Sequence, residues 1–429
     1  MSESEAVDLL HKVANITPPS NDVSLAITRE LEMWALAITQ AGAYIFKTRR
    51  LDNYLDMLQK HRKKLMREAL RPGRNYQGST YAAFDLSFGL LPRNAQELMK
   101  ICAFLHYSSI PRALFERSAA SGFQTYTKFA SFPPPTSDEG DISALEEIFG
   151  SEWDDLTFQT LIESISRGSL MDTLIDDNGE CFYNIHPLVQ TYILDLLERE
   201  DWKRHASLAG QLLLGAIRPL QEDKNNSWHR QLSSHVNNLR MEIKLSHASH
   251  TLTFLMVYKS IGNWNGSQAL MKYCWSEFKS TLGARHPDTI TTMYNLAWKL
   301  LSGGRLEEAE RMQREVLALR NEILGQRHPD TITAMHTLAR TLKSRGQLEE
   351  AENMMQEVVA LRQEVLGQRH PHTISAMSHI SSIHTQRAKL ASTADRSSRR
   401  FVTRFVDRIR ARFLTPDSFI HRFHLSFPH

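Results

Sequence analysis

The chain has 429 residues, of which 41% are apolar and 23% charged, a globular composition with room for two to four domains. A net charge of +3 argues against a dedicated nucleic-acid binder. The charge is uneven: from Arg387 onward ten Lys/Arg face three Asp/Glu, a local +7 that leaves −4 for residues 1–386 and marks the tail as an interaction element. Cys102, Cys181 and Cys274 are too far apart for a metal-ligand motif and odd in number for a disulfide framework, so they read as reduced thiols. The opening MSESEAVDLL is acidic where a secretory leader is basic, and no apolar run approaches the ~20 residues that cross a bilayer. A soluble, cytoplasmic protein is expected.

The pattern predicts helices over Ser24–Phe46 and Leu51–Leu70, within a helical module spanning residues 1–130. The segments EMWALAITQAGAYI, YLDMLQKHRKKL, YAAFDLSFGL and AQELMKICAFLHYSSIPRALF follow one another through Phe115. Taken together they resemble the ARC portion of the NB-ARC module in STAND NTPases, above all fungal NLR-like proteins, over about residues 5–200. The first segment resembles the GLPLA-type motif of that module and departs from its plant-type form at Met33 and Ala35, where Gly and Pro would stand. The phosphate loop GxxxxGK[ST], whose backbone amides cradle phosphates, occurs nowhere in the chain. Nor does a strand ending in paired acidic residues precede the helical segment. The chain is therefore expected to begin after the nucleotide-binding core, with neither cofactor nor nucleotide hydrolysis.

A proline-rich linker, residues 131–141, leads into two helices, Ile142–Phe149 and Leu156–Ile165. A hairpin, Leu170–Ile175 and Cys181–Ile185 about a turn at Asp176–Gly179, and a helix Pro187–Leu197 come next. Given the resemblance, residues 142–200 are expected to form a winged helix. Its groove-entering helix carries Asp154, Asp155 and Glu163 against Arg167, the wrong sign for phosphate, so no DNA binding is expected. His186 stands where the resemblance implies an ADP-contacting histidine, and it equally suits the start of a helix. A helical connector, residues 201–250, completes this half.

Residues 251–388 repeat. HPDTITTMYNLAWKLLSGGRLEEAERMQREVLALRNEILGQR, His286 to Arg327, recurs from His328 to Arg369 with 28 of 42 positions identical. A degenerate unit precedes these two, and a partial one opens at His370. Each unit reads as two helices. Asp288 and Thr289 supply the N-cap, Ile290, Met293, Leu296, Ala297 and Leu300 form the first apolar stripe, and Gly303–Gly304 breaks the chain. Ala309, Met312, Val316, Leu319 and Ile323 form the second stripe. Such pairs bury their faces only by stacking. The pattern resembles tetratricopeptide (TPR) repeats of the kinesin-light-chain type, which implies a concave protein- or peptide-binding face. Asn295 fills a groove-lining place in that family, and Thr337 and His379 occupy it in the next copies. With Lys299, Arg340 and Lys343, Asn295 and Thr337 make a positive candidate groove for an acidic or C-terminal peptide. A scaffold without a groove ligand fits the same pattern.

The tail, residues 389–429, places Phe401, Val402, Phe405, Val406, Ile409 and Phe413 on one helical arc, with Arg399, Arg400, Arg404, Arg408 and Arg410 outside it. Three roles suit it: a cap on the solenoid end, a membrane- or partner-docking helix, and an unfolded extension. His247 and His250 are spaced i, i+3 without the Glu of HExxH, so no metal site is expected. The whole reads as mainly α: an ARC-like helical module, a winged helix and a short TPR α-solenoid. The expected activity is non-catalytic protein–protein interaction, as an adaptor or regulatory fragment of a STAND-type receptor. Two other functions compete: a kinesin-light-chain-like transport scaffold, and one half of a split NTPase whose partner chain supplies the nucleotide core.

Overall fold

The computed structural model describes residues 1–68, 78–126, 138–218, 227–262 and 264–413. Linker residues 131–137 and tail residues 414–429 lie outside these. The chain is predominantly helical and divides into two units, Met1–Glu277 and Phe278–His429. The boundary falls after the first helix of the expected degenerate repeat. Among the described residues no helix is long and apolar enough to cross a membrane.

The first unit opens with α1 (Glu3–Ala14), α2 (Asp22–Glu30), α3 (Ala35–Thr48), α4 (Tyr54–Glu68) and α5 (Gly78–Gly89). Ser2 and Glu5 cap α1 reciprocally, the Ser2 Oγ accepting from the Glu5 amide at 3.3 Å and the Glu5 carboxylate from the Ser2 amide at 2.8 Å. Leu10, Ile27, Leu31, Ile38, Tyr54 and Ala82 form its core. Gly42 lets α3 approach α1 closely, since a Cβ there would lie 2.7 Å from the Cβ of Val13. The helix expected from Ser24 to Phe46 is interrupted. Glu32 and Met33 both adopt left-handed backbone (φ 55° and 57°), which ends α2 and redirects the chain into α3.

α6 (Arg93–Cys102), β1 (Ile110–Pro111), α7 (Arg112–Ala120), α8 (Asp138–Phe149), α9 (Asp155–Arg167), β2 (Asp172–Ile175), β3 (Cys181–Asn184) and α10 (Pro187–Leu196) follow. The strands form an antiparallel sheet ordered β1–β3–β2, with Ile110 opposite Tyr183 and Leu174 opposite Phe182. The hairpin turns where the sequence places it. Asp176 Oδ1 accepts from the Asn178 and Glu180 amides at 2.9 and 2.8 Å, and Gly179 takes φ 81°. β1 lies outside the expected 142–200 segment; a two-residue strand ending in proline leaves no periodicity to read. α8 starts at Asp138, four residues before expected. Phe115, Phe158 and Tyr183 pack the sheet against its helices, with Phe115 and Phe158 centroids 5.2 Å apart. α11 (Arg199–Ala216), α12 (Ser227–Asn238), α13 (Met241–Lys244) and α14 (Ala248–Ser260) complete the connector, and α15 (Trp264–Thr281) crosses the unit boundary.

The second unit stacks α16 (Pro287–Ser302), α17 (Leu306–Leu324), α18 (Pro329–Ser344), α19 (Leu348–Leu366) and α20 (Pro371–Phe413). The first helix of each unit is capped by histidine rather than by the expected Asp and Thr. Nδ1 of His286, His328 and His370 accepts from the amide two residues on, each at 3.2 Å, with proline at the first helical position. The second stripe also differs from expectation. Leu319 is only half-buried and Ile323 is exposed, because Arg320 takes the inward place. Its Nη1 donates to the Asp330 carbonyl at 2.7 Å, and Arg362, one period on, does the same to His372 at 2.7 Å. Each second helix thereby pins the start of the next unit.

The turn between paired helices needs a left-handed residue, and Gly304 and Gly346 supply it at φ 77° and 81°. One period later the place holds Ala388. No turn forms there, and α20 runs straight through the 388/389 boundary as one 43-residue helix.

Candidate functional site

The C-terminal ends of α16 and α18 lie beside the first half of α20, and an open cleft of about 420 Å³ lies among them. Leu301 and Ser302 of α16, Arg340, Lys343 and Ser344 of α18, and His379 and Gln386 of α20 line it. The lining repeats with the period, Ser302, Ser344 and Gln386 being equivalent positions. Lys343 Nζ donates to Ser382 Oγ at 2.6 Å, which holds its side chain across to α20. Burial, together with Arg340, Lys343 and Arg362, keeps His379 below the usual histidine pKa. The His336 ring lies 5.0 Å from that of His379 and is pushed down to about 3 by burial first and Arg362 second. Two histidines held neutral beside fixed cations mark a region of positive potential. No Asp or Glu lines the cleft among the described residues. Arg340 and Lys343 would offer charge-assisted donors to an anion placed there.

The five residues read as a groove do not all meet there. Arg340 and Lys343 do, half-buried on adjacent turns of α18. Asn295 is exposed on α16 and lies outside the lining. Lys299 is buried, and burial lowers its pKa. Thr337 is buried too, because its hydroxyl serves the stack: it lies 3.0 Å from Tyr294 Oη and donates to the Thr333 carbonyl at 2.9 Å. Leu301, Ser302, Ser344 and Gln386 were missed, and His379 was read only as the equivalent of Asn295; all were reachable from the 42-residue period, since each shares a register with another lining or candidate position.

The remaining candidates have structural roles. His186 is exposed at the start of α10, its Nδ1 accepting from the Leu188 amide at 3.2 Å, the same cap as in the repeats. His247 caps α14 likewise, and His250 lies 2.8 Å from Ser246 Oγ. Asp154 caps α9 through the Leu156 and Thr157 amides. Burial pushes Cys102 and Cys274 upward, the latter to about 12, which leaves both thiols unreactive. No group of three or more metal-binding side chains is assembled among the described residues.

The stacked pairs define a helical-repeat protein, and residues 289–330 and 331–372 each match the family model for the tetratricopeptide repeat. Solved structures similar to the chain include the kinesin-light-chain-type "nearly identical TPR-like repeats" of Podosopora anserina, at 20% identity and TM-score 0.32 over 46% of this chain and 93% of that one. A single-substitution form of the same protein matches at 20% identity and TM-score 0.32 over 50% and 98%. BtubC (BKLC) from P. vanneervenii is 15% identical with TM-score 0.32 over 53% and 84%. No curated protein matches the chain.

Proposed function

We propose that this chain is a non-catalytic, cytoplasmic interaction protein that binds an acidic segment of a partner protein in the cleft between its repeats. The convergence of Arg340, Lys343 and His379 in a cleft with no carboxylate among its described lining residues carries this reading. Tetratricopeptide repeats in general bind protein partners, and half-buried cations attract carboxylates more strongly than solvated ones do. The Arg340→Glu/Lys343→Glu protein tests it. Exposed and half-exposed helix positions tolerate such changes, so the fold is expected to survive, while capture of partners from a native lysate falls, most steeply at low salt. Equal recovery of the same partners, quantified by mass spectrometry, rules the cleft out.

Two observations support placing the chain with the regulatory part of a STAND-type receptor. Met33, where the ARC motif carries Gly, has φ 57°, and Ala35, where it carries Pro, is the first residue of α3. These are the backbone states that Gly and Pro favour. The order helix, short strand, helices, hairpin over α6–β3 supports a winged-helix module beginning near Arg93. With no phosphate-loop string in its sequence, the isolated chain is expected to bind no ATP. Micromolar binding by calorimetry overturns that, and a co-purifying chain that carries a phosphate loop favours the split NTPase.

A further inference from the structure

The third unit is left open on one side. Ile374 is 55% exposed, whereas its equivalents Ile290 and Ile332 are 4% and 2% exposed; Met377 is 36% exposed against 3% and 4% for Met293 and Met335. In the first two units a second helix folds back over these positions. Here Ala388 replaces the turn glycine and residues 391–413 continue along the same axis, so they cannot return to cover it.

The bonds that tie one second helix to the next unit's are also left open. Arg285 pairs with Glu322 at 2.6 Å, and Arg327 with Glu364 at 3.0 Å, 42 residues on. Gln326 donates to Glu357. The next members, Gln368 and Arg369, are exposed and meet no carboxylate among the described residues. Continuing the period places Arg399 and Val406 where Glu357 and Glu364 stand, and both lie within the straight α20.

We propose that this face of α20 docks an acidic amphipathic helix of a partner protein, which completes the third repeat in trans. The occupant carries apolar side chains for Ile374 and Met377 and two carboxylates seven residues apart, two helical turns, for Gln368 and Arg369. Residues 414–429 of the chain hold one acidic side chain, Asp417, and do not fit this description. The surface is separate from the cleft, and neither depends on the other.

The probe is a labelled peptide of residues 348–366, the second helix of the preceding unit, titrated into the full chain at low salt. Saturable binding is expected, weakened about tenfold or more by Met377→Asp or by Arg369→Glu in the chain. A Glu364→Arg peptide restores affinity to the Arg369→Glu chain, which assigns the pair. No saturable binding, or binding indifferent to both substitutions, overturns the proposal. Self-association of the unliganded chain that Met377→Asp abolishes does so as well, because a second copy then fills the face. Tighter peptide binding after removal of residues 414–429 overturns it in favour of the chain's own terminus.

Discussion

The Arg320 guanidinium lies 4.6 Å from the centroid of the Tyr294 ring, and one period later the same two positions hold Arg362 and His336. An attraction between a cation and a ring face is thereby replaced by a cation beside a group able to gain charge.

The substitution predicts a pH dependence. Burial, then Arg362, hold His336 at about 3, below the ordinary ~6.5 of an unfolded chain. The folded ring stays neutral while the unfolded one binds a proton. His336 therefore costs nothing above that value, and destabilises as pH falls toward 3, with a slope approaching ~1.4 kcal/mol per pH unit. His336→Tyr restores the arrangement of the preceding unit and removes that slope. The gain in urea midpoint over the parent protein should be larger at pH 5 than at pH 7. Equal gains at both pH values refute the assignment.

Gln313 is 1% exposed, and neither atom of its amide finds a hydrogen-bond partner. The equivalent residue of the next unit is the fully buried Met355. Gln313→Met removes an unsatisfied buried amide while keeping the volume, and should stabilise the repeats by about 1–2 kcal/mol. An unchanged midpoint in chemical denaturation means that an ordered water already satisfies the amide.

At the start of α3, Trp34 has φ −80° and ψ 116°, an extended conformation of the kind that tolerates a following proline. Ala35→Pro should raise stability by roughly 0.4–1 kcal/mol by restricting the unfolded chain. Met33→Gly removes a left-handed side chain and should be neutral or stabilising by up to about 1 kcal/mol. A marked loss in either, measured by thermal unfolding, shows that the turn is held by side-chain packing instead.

Gly346→Ala imposes on the second unit what Ala388 imposes on the third. With φ at 81°, the added Cβ should cost about 1–2 kcal/mol and loosen the α18–α19 turn. Hydrogen exchange at the Gln347 amide, which bonds the Leu342 carbonyl at 2.9 Å, reports it directly. Protection equal to the parent protein's counts against the turn as the controlling feature.

The repeat architecture was legible because identity at a fixed period needs no knowledge of packing. The Asp176–Gly179 hairpin was legible because turn chemistry is local. Arg320 was not: a charged residue inside an apolar stripe is explained only by a carbonyl ten residues on and a ring in another helix. The straight course of α20 was written at Ala388, but reading it requires knowing that glycine at that register turns the chain. Within the cleft, Arg340 and Lys343 followed from helical spacing. Thr337 was misjudged, since whether a hydroxyl faces solvent or a neighbouring tyrosine depends on how closely adjacent helices approach.

Because Arg285–Glu322 recurs as Arg327–Glu364, and the Arg320–carbonyl contact as that of Arg362, a 42-residue unit makes the same two contacts above and below. A copy can be inserted or excised in frame with these two junction contacts still made. The array's length is then a quantity that duplication and deletion can change in whole steps, without reinventing an interface.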